Sequence, residues 1–288
     1  MMRNFPAASL AALVILAGAT AGYSQTPAIA AGGILNGASF DTTGKPVAPG
    51  SIVAIFGTNL ASGNASGSSV PLSVSLANVS VTFNGAKAPI YFVSAGQINV
   101  QVPWEVLPLT PPTSSGTAQV VVTNTAGTSA AQTVALAPAA PGIFQLPRAD
   151  GTLQAIAYGN VDGIIAAPAG SIAGLTTHPA KINDPNTLVI LATGLGPVDS
   201  TVANGDVPTV VTSNTLTKPV VTVGQMPAQV VFSGLVGRDS SGKALGFVGV
   251  YQINIIIAPG TPTGDSVPVQ ISMNGITSPN TFMIAVSQ

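Results

Sequence analysis

Apolar and polar side chains alternate with period two along most of the chain. Val79, Val81 and Phe83 oppose Ser80 and Thr82; Ile98, Val100 and Val102 oppose Gln97, Asn99 and Gln101; Val267, Val269 and Ile271 oppose Pro268, Gln270 and Ser272. Successive side chains of a strand leave opposite faces, so each run predicts a strand buried on one side. Turn signals separate the runs: Asn84-Gly85, Ala126-Gly127, Asn274-Gly275 and the Pro-rich "LPLTPPTSSG" (107–116). Strands spaced roughly 8 to 12 residues apart, with no sustained 3.6 period, predict antiparallel β-sandwiches.

The pattern occurs twice. "PGSIVAIFGTNL" (49–60), "NVSVTFNGAKAPIYFVSAGQINVQVP" (78–103) and "GTAQVVVTNTAGTSAAQTVAL" (116–136) return in the same order as "PNTLVILATGLG" (185–196), "PVVTVGQMPAQVVFSG" (219–234), "GVYQINIIIAPG" (249–260) and "GDSVPVQISMNGITSPNTFMIAV" (264–286). The offset is 136 at the opening strand, 139 at the hairpin glycine and 155 at Gln-Ile-Asn, which puts an insertion at "LVGRDSSGKALGF" in the second copy. Self-similarity of this kind predicts two domains of one plan. The expected division is 25–140 and 141–288, with the boundary near "APAAPGIF" (137–144). Segment 144–184 has no counterpart at the start of the first copy. It is expected to add one or two strands and a long loop, and a copy-specific function is easiest to place there.

Gln97-Ile98-Asn99 and Gln252-Ile253-Asn254 are common to both copies, so they are expected to serve the fold. An unpaired buried amide costs about 1–3 kcal/mol, so these side chains should bond neighbouring backbone or each other. Ile256 stands where Gln101 stands, which predicts that the outer face of the second domain is covered by segment 144–184 or by the first domain. The exit differs as well: the first strand runs into Pro103, then Trp104 and Glu105, the single Trp and single Glu of the chain.

Composition agrees with short strands and many turns. Charged residues make up 6% of the 288, while Gly (32) and Pro (24) are abundant. The net charge of −1, with no cluster of Lys or Arg, argues against nucleic acid as a partner. The first 24 residues have Arg3, an apolar run from Ala7 to Ala17 and small residues after it, the form of a secretory signal peptide cleaved after Ala21 or Ser24. A membrane anchor needs about 20 apolar residues, and this run is shorter and broken by Gly18 and Thr20. The mature chain is therefore expected to be secreted, periplasmic or held at the cell surface, without a membrane span. No cysteine is present, which removes disulfides, thiol catalysis, a lipoprotein anchor and cysteine metal sites.

The motifs "GILNGASF" (33–40), "APGSIVAIFGTNLA" (48–61), "APIYFVSAGQINVQVPWE" (88–105), "PGIF" (141–144), "ATGLGPV" (192–198) and "GVYQINIIIAPGTPTGDSVPV" (249–269) carry a family likeness. In fixed order they resemble the uncharacterised C-terminal domain family of secreted acidobacterial (Solibacter-type) proteins, over nearly all of the mature chain. Each copy also resembles an IPT/TIG immunoglobulin-like domain. The resemblance implies export and tandem immunoglobulin-like sandwiches, and it brings no catalytic residues. The second copy departs from the pattern at "HPAKINDPNTLV" (178–189), where a Gly-containing turn is expected.

Chemistry is sparse. A Ser-His-Asp hydrolase would have to use His178, the sole histidine, and no Gly-x-Ser-x-Gly elbow exists. The carboxylates, Glu105 and Asp41, Asp150, Asp162, Asp184, Asp199, Asp206, Asp239 and Asp265, lie mostly beside Gly, Asn or Pro, as turn-forming Asp does. Transition metals lack Cys and His ligands. Calcium stays open through Asn160 and Asp162, or through Asp150, although a calcium site takes six or more oxygens.

Aromatic candidates for a carbohydrate platform are Trp104, Tyr91, Tyr158 and Tyr251, of which Tyr91 and Tyr251 fall within strand alternation. Trp104 can equally cap the open end of a sandwich. The expectation is a non-enzymatic, cofactor-free module for extracellular interaction or structural support. The alternative is a carbohydrate-binding or adhesion protein for extracellular polysaccharide. Trp104, Glu105 and Tyr158 are the candidate ligand-binding residues and no metal site is expected.

Overall fold

A computed structural model describes residues 25–107, 115–279 and 281–288. The predicted signal peptide and most of the Pro-rich turn lie outside the described residues. The described chain is built from β-strands, with a single 3-10 turn at Trp104–Val106. Among the described residues no helix is long and apolar enough to cross a membrane.

Two β-sandwiches stand in tandem. One sheet of the first runs, in spatial order, Ala28–Asn36, Ile52–Thr58, Gln97–Gln101, Ile90–Val93 and Ala65–Ser66. Its partner sheet runs Gln132–Leu136, Gly116–Asn124, Ser80–Phe83 and Ala86–Lys87. The second sandwich repeats both orders. Ala157–Gly159, Leu188–Thr193, Tyr251–Ile256, Gln229–Val236 and Thr212–Asn214 lie in one sheet, and Phe282–Ser287, Gly264–Met273, Val220–Val223 and Met226–Pro227 in the other. The alternating runs supply the cores: Val81, Phe83, Ile98 and Val100 are fully buried in the first, Ile253, Val269 and Ile271 in the second.

Register shifts the predicted correspondence by one residue. Ile98 pairs with Ile55 and Ile253 with Ile190, so the opening strands are offset by 135 and not 136. With period-two side chains a slip of one would exchange core for surface, and buried Ile55 and Ile190 fix the true alignment. The hairpins likewise align Asn84-Gly85 with Gly224-Gln225, all four at positive φ, as type I′ turns require. Both sandwiches also carry an irregularity at the same place, between Ile90 and Phe92 and between Val230 and Phe232.

Segment 144–184 differs from expectation. Its strand Ala157–Gly159 pairs with Leu188–Thr193 as Ala28–Asn36 pairs with Ile52–Thr58, so it does have a counterpart in the first copy. Around that strand the segment adds five further short ones: Gln145–Pro147, Leu153–Ala155, Ile165–Ala166, Thr177–His178 and Ala180–Lys181. They lengthen the edges of both sheets. Alternation could not reveal strands of two or three residues.

The shared amides satisfy each other. Gln97 Nε2 donates to Asn99 Oδ1 and Gln252 Nε2 to Asn254 Oδ1, both at 2.8 Å. The cover predicted over Ile256 is reversed: Ile256 is half-buried, and Gln101 is fully buried because the second sandwich lies against it. Gln101 Oε1 accepts the Gly205 N–H at 2.7 Å, and Thr193 Oγ1 accepts the Ile52 N–H at 2.9 Å while donating to Gly249 O at 2.7 Å. Tyr91, at the irregular position, donates its hydroxyl to Val248 O at 2.5 Å beside a small cluster of Leu72, Val207 and Val248. The insertion 235–247 ends there, next to the first sandwich.

Candidate functional site

Pro103 ends the Gln-Ile-Asn strand, and the 3-10 turn after it carries Trp104 out of its own sandwich. The indole packs with Leu195, Leu235 and Tyr251 in the core of the second sandwich and is 7% exposed. Gly50 makes this possible: it sits at φ +73°, and a Cβ there would lie 2.1 Å from Trp104 Cη2. The Trp104 N–H donates to Asn204 Oδ1 at 2.9 Å, and Asn204 Nδ2 donates to Glu105 Oε2 at 2.8 Å. Trp104 therefore closes the end of the neighbouring sandwich, not its own, and its small exposed part lines a second cleft of about 250 Å³ with Val198, Asp199, Ser200 and Thr201. Glu105 is exposed and bound to the same asparagine.

Tyr158 is placed elsewhere, half-buried in the strand that pairs with Val189, and burial pushes its hydroxyl pKa up. The three candidate residues do not form one group. Tyr158 also lines neither of the two clefts that flank this part of the sandwich.

A cleft of about 500 Å³ is lined largely by segment 144–184. Its polar wall comes from Asn160, Asp162, His178, Lys181, Asp184 and Asn186, and its apolar floor from Ile164, Leu188, Ile255 and Ile257. A pocket of this size with an apolar floor and a few polar groups is the usual form of a small-ligand site. The walls are tied together by one ion pair, with His178 Nε2 2.9 Å from Asp162 Oδ2. Asp162 reaches it because Gly159 has no side chain: a Cβ there would stand 2.3 Å from Asp162 Oδ1. The same carboxylate accepts the Ile164 N–H at 2.9 Å.

His178 Nδ1 lies 2.9 Å from the Pro179 carbonyl oxygen. Both ring nitrogens thus face acceptors, an arrangement that favours the protonated ring, since only that form donates from both. The Pro179 carbonyl and then Asp162 raise its pKa above the ordinary value, and the Ile164 N–H and then His178 lower that of Asp162. In that protonated form the ring has no lone pair for a general base. Ser287, the hydroxyl in the lining, donates to Ala180 and Gln288 carbonyls, so no nucleophile–base pair forms.

Every carboxylate with a displaced pKa is displaced downward, at Asp41, Asp150, Asp162, Asp199 and Asp239. A glycosidase acid needs the opposite displacement. Asp150 Oδ1, considered for calcium, accepts from the Thr152 N–H and hydroxyl, and Asp162 is committed to His178.

Sequence reading reached Asn160, Asp162 and His178 as chemistry and the segment as a place, but not the cleft. Lys181, Asp184 and Asn186 belong to the "HPAKINDPN" departure, which was the available signal.

No curated protein matches the chain. Among solved structures it is similar to the Bacteroides ovatus mixed-linkage glucan utilization locus protein SGBP-B in complex with a mixed-linkage heptasaccharide, at 14% identity, covering 85% of this chain and 44% of that one, TM-score 0.30. The extracellular region of plexin A4 (domains 1 to 8) is matched at 10% identity, 93% and 19% coverage and TM-score 0.28. The γ-CGTase of alkalophilic Bacillus clarkii is matched at 12% identity, 93% and 27% coverage and TM-score 0.25. The chain spans less than half the length of each of these. Residues 38–135 match the IPT/TIG domain family, so the first sandwich is an immunoglobulin-like domain, and the repeated strand order makes the second an immunoglobulin-like sandwich in tandem with it.

Proposed function

We propose that the protein is a secreted, non-enzymatic binding module in which the tandem sandwiches form the scaffold and the cleft of the second holds the ligand. The observation that carries this reading is the cleft itself. Its polar wall is built from segment 144–184 and the departure at 178–189 that overlaps its end, and its one histidine lies between two acceptors. This arrangement can bind and orient, and among the described residues it pairs no hydroxyl with a base.

Carbohydrate is the ligand class that the side chains favour. Among the described residues neither Asn160 nor Asn186 has a hydrogen bond to its side-chain amide, and both stand on the wall above the apolar floor. Amides that donate and accept side by side suit sugar hydroxyls, and an aliphatic floor suits the apolar face of a pyranose.

Screening the full chain against an array of extracellular polysaccharides tests the reading. Binding should be lost in Asn160→Ala/Asn186→Ala at an unchanged melting temperature. Binding that persists in this double variant, or release of shortened saccharide, would contradict it.

A further inference from the structure

We infer that the cleft selects neutral saccharides and rejects both acidic and amino sugars, an inference that rests on the carbohydrate reading above. Four charged side chains line the cleft: Asp162 and Asp184 against His178 and Lys181. At pH 6, below the ordinary histidine value that the Pro179 carbonyl and Asp162 raise further, His178 carries its charge and the two signs balance. Two of the four are consumed by their own pair at 2.9 Å, and Asp184 Oδ1 is occupied by the Asn186 N–H at 2.8 Å.

A uronate entering the cleft would meet the Asp184 carboxylate, and an amino sugar the Lys181 ammonium. Each would therefore gain at one residue what it loses at the other while giving up its own hydration. A neutral ring carries no such desolvation cost, and it can use the Asn160 and Asn186 amides and the remaining Asp184 oxygen as hydrogen-bond partners. The volume of about 500 Å³ accepts a short stretch of a chain and not a long one. Among the described residues no Phe, Tyr or Trp lines the cleft, so recognition rests on hydrogen bonds and the Ile164, Leu188, Ile255 and Ile257 floor.

The Asp162–His178 pair holds the turn at 159–164 against the Thr177–Lys181 stretch, so the wall that presents Asn160 depends on it. The titratable groups facing His178 across the cleft are Asp162, Lys181 and Asp184.

The test is calorimetric titration of the full chain at pH 6 with three probes of equal length: a neutral gluco-tetrasaccharide, a galacturonate tetramer and a glucosamine tetramer. The neutral probe should bind and the two charged ones should bind at least about tenfold more weakly. Asn160→Ala and Asn186→Ala should each weaken the neutral probe about tenfold, the loss of a hydrogen bond or two. Asp184→Lys, which reverses one charge, should admit the galacturonate and leave the glucosamine tetramer excluded. Tighter binding of either charged probe by the wild type would overturn the selectivity and leave the cleft in place, provided that binding still depends on Asn160 and Asn186. Neutral binding untouched by both asparagine variants would overturn the cleft itself, and no binding of any probe at millimolar concentration would overturn both.

Discussion

Trp104 and Gly50 act as one device. The indole fills the end of the second sandwich, and Gly50 leaves the space through which it passes. Trp104→Ala removes a large buried side chain and should cost about 3–5 kcal/mol in chemical denaturation. Gly50→Ala places a methyl into the ring and should also destabilise, by about 1–3 kcal/mol; equal stability of Gly50→Ala and wild type would mean that the indole does not occupy this position.

At His178 the sign of the pH effect follows from the partners. Its raised pKa means that the pair contributes fully below the unfolded-state value near 6.5 and is lost as pH rises through the folded-state value. The lowered pKa of Asp162 means the opposite at the acid end, with loss as pH falls below its ordinary value of 3.8. The melting temperature of wild type relative to His178→Gln should therefore be highest between about pH 4 and 6.5 and converge at pH 9. A difference that grows with alkalinity would contradict the ion pair.

Among the elements, the long alternating strands were legible in the sequence and the short ones were not. Val79 to Phe83, Ile98 to Val102 and Val267 to Ile271 are buried as alternation predicts, because one face of each must meet a core. Segment 144–184 was misjudged for a physical reason: strands of two or three residues hold through their neighbours in the sheet and leave no periodic trace. The repeat was visible but its register was off by one at the opening strand, since "PGSIVAIF" and "PNTLVILA" are both apolar enough to match in either phase.

The Gln-Ile-Asn strand was read correctly as part of the fold. The exit at Trp104 and Glu105 stands out in the sequence as a candidate cap of a sandwich, but sequence does not say which core a side chain enters. The cleft was the least legible part. Its residues lie between positions 159 and 188, at 255 and 257 and at 287, and pairings distant in sequence bring them together: Leu188–Thr193 with Tyr251–Ile256, Ile165–Ala166 with Thr177–His178 and Ala180–Lys181 with Phe282–Ser287. Gly159 is the hinge of that element. Gly159→Ala would drive a Cβ against Asp162, so it should release the carboxylate and raise the ligand dissociation constant at an unchanged core, as read by titration together with circular dichroism.

For the whole molecule, the two sandwiches share side chains across their junction. Trp104 belongs by chain to the first and by packing to the second, Gln101 and Thr193 each satisfy the other half's backbone, and Tyr91 bonds Val248. Scanning calorimetry should therefore show one cooperative transition for the full chain, with residues 141–288 alone melting lower. Two resolved transitions in the wild type would mean that the junction contributes little. Such a junction ties the second sandwich to the first, and the departures from strict repetition have distinct places: the insertion at 235–247 lies against the first sandwich and the 144–184 segment forms most of the cleft wall.

The central claim is that this cleft, and not the Trp104 end, receives the ligand. Backbone amide shift mapping by NMR, with the neutral gluco-tetrasaccharide added to the full chain, tests it most directly. The account predicts shifts concentrated at Asn160, Asp162, Ile164, His178, Lys181 and Asn186. Shifts concentrated instead at Trp104, Glu105 and Val198 to Thr201, or shifts absent throughout, would contradict it.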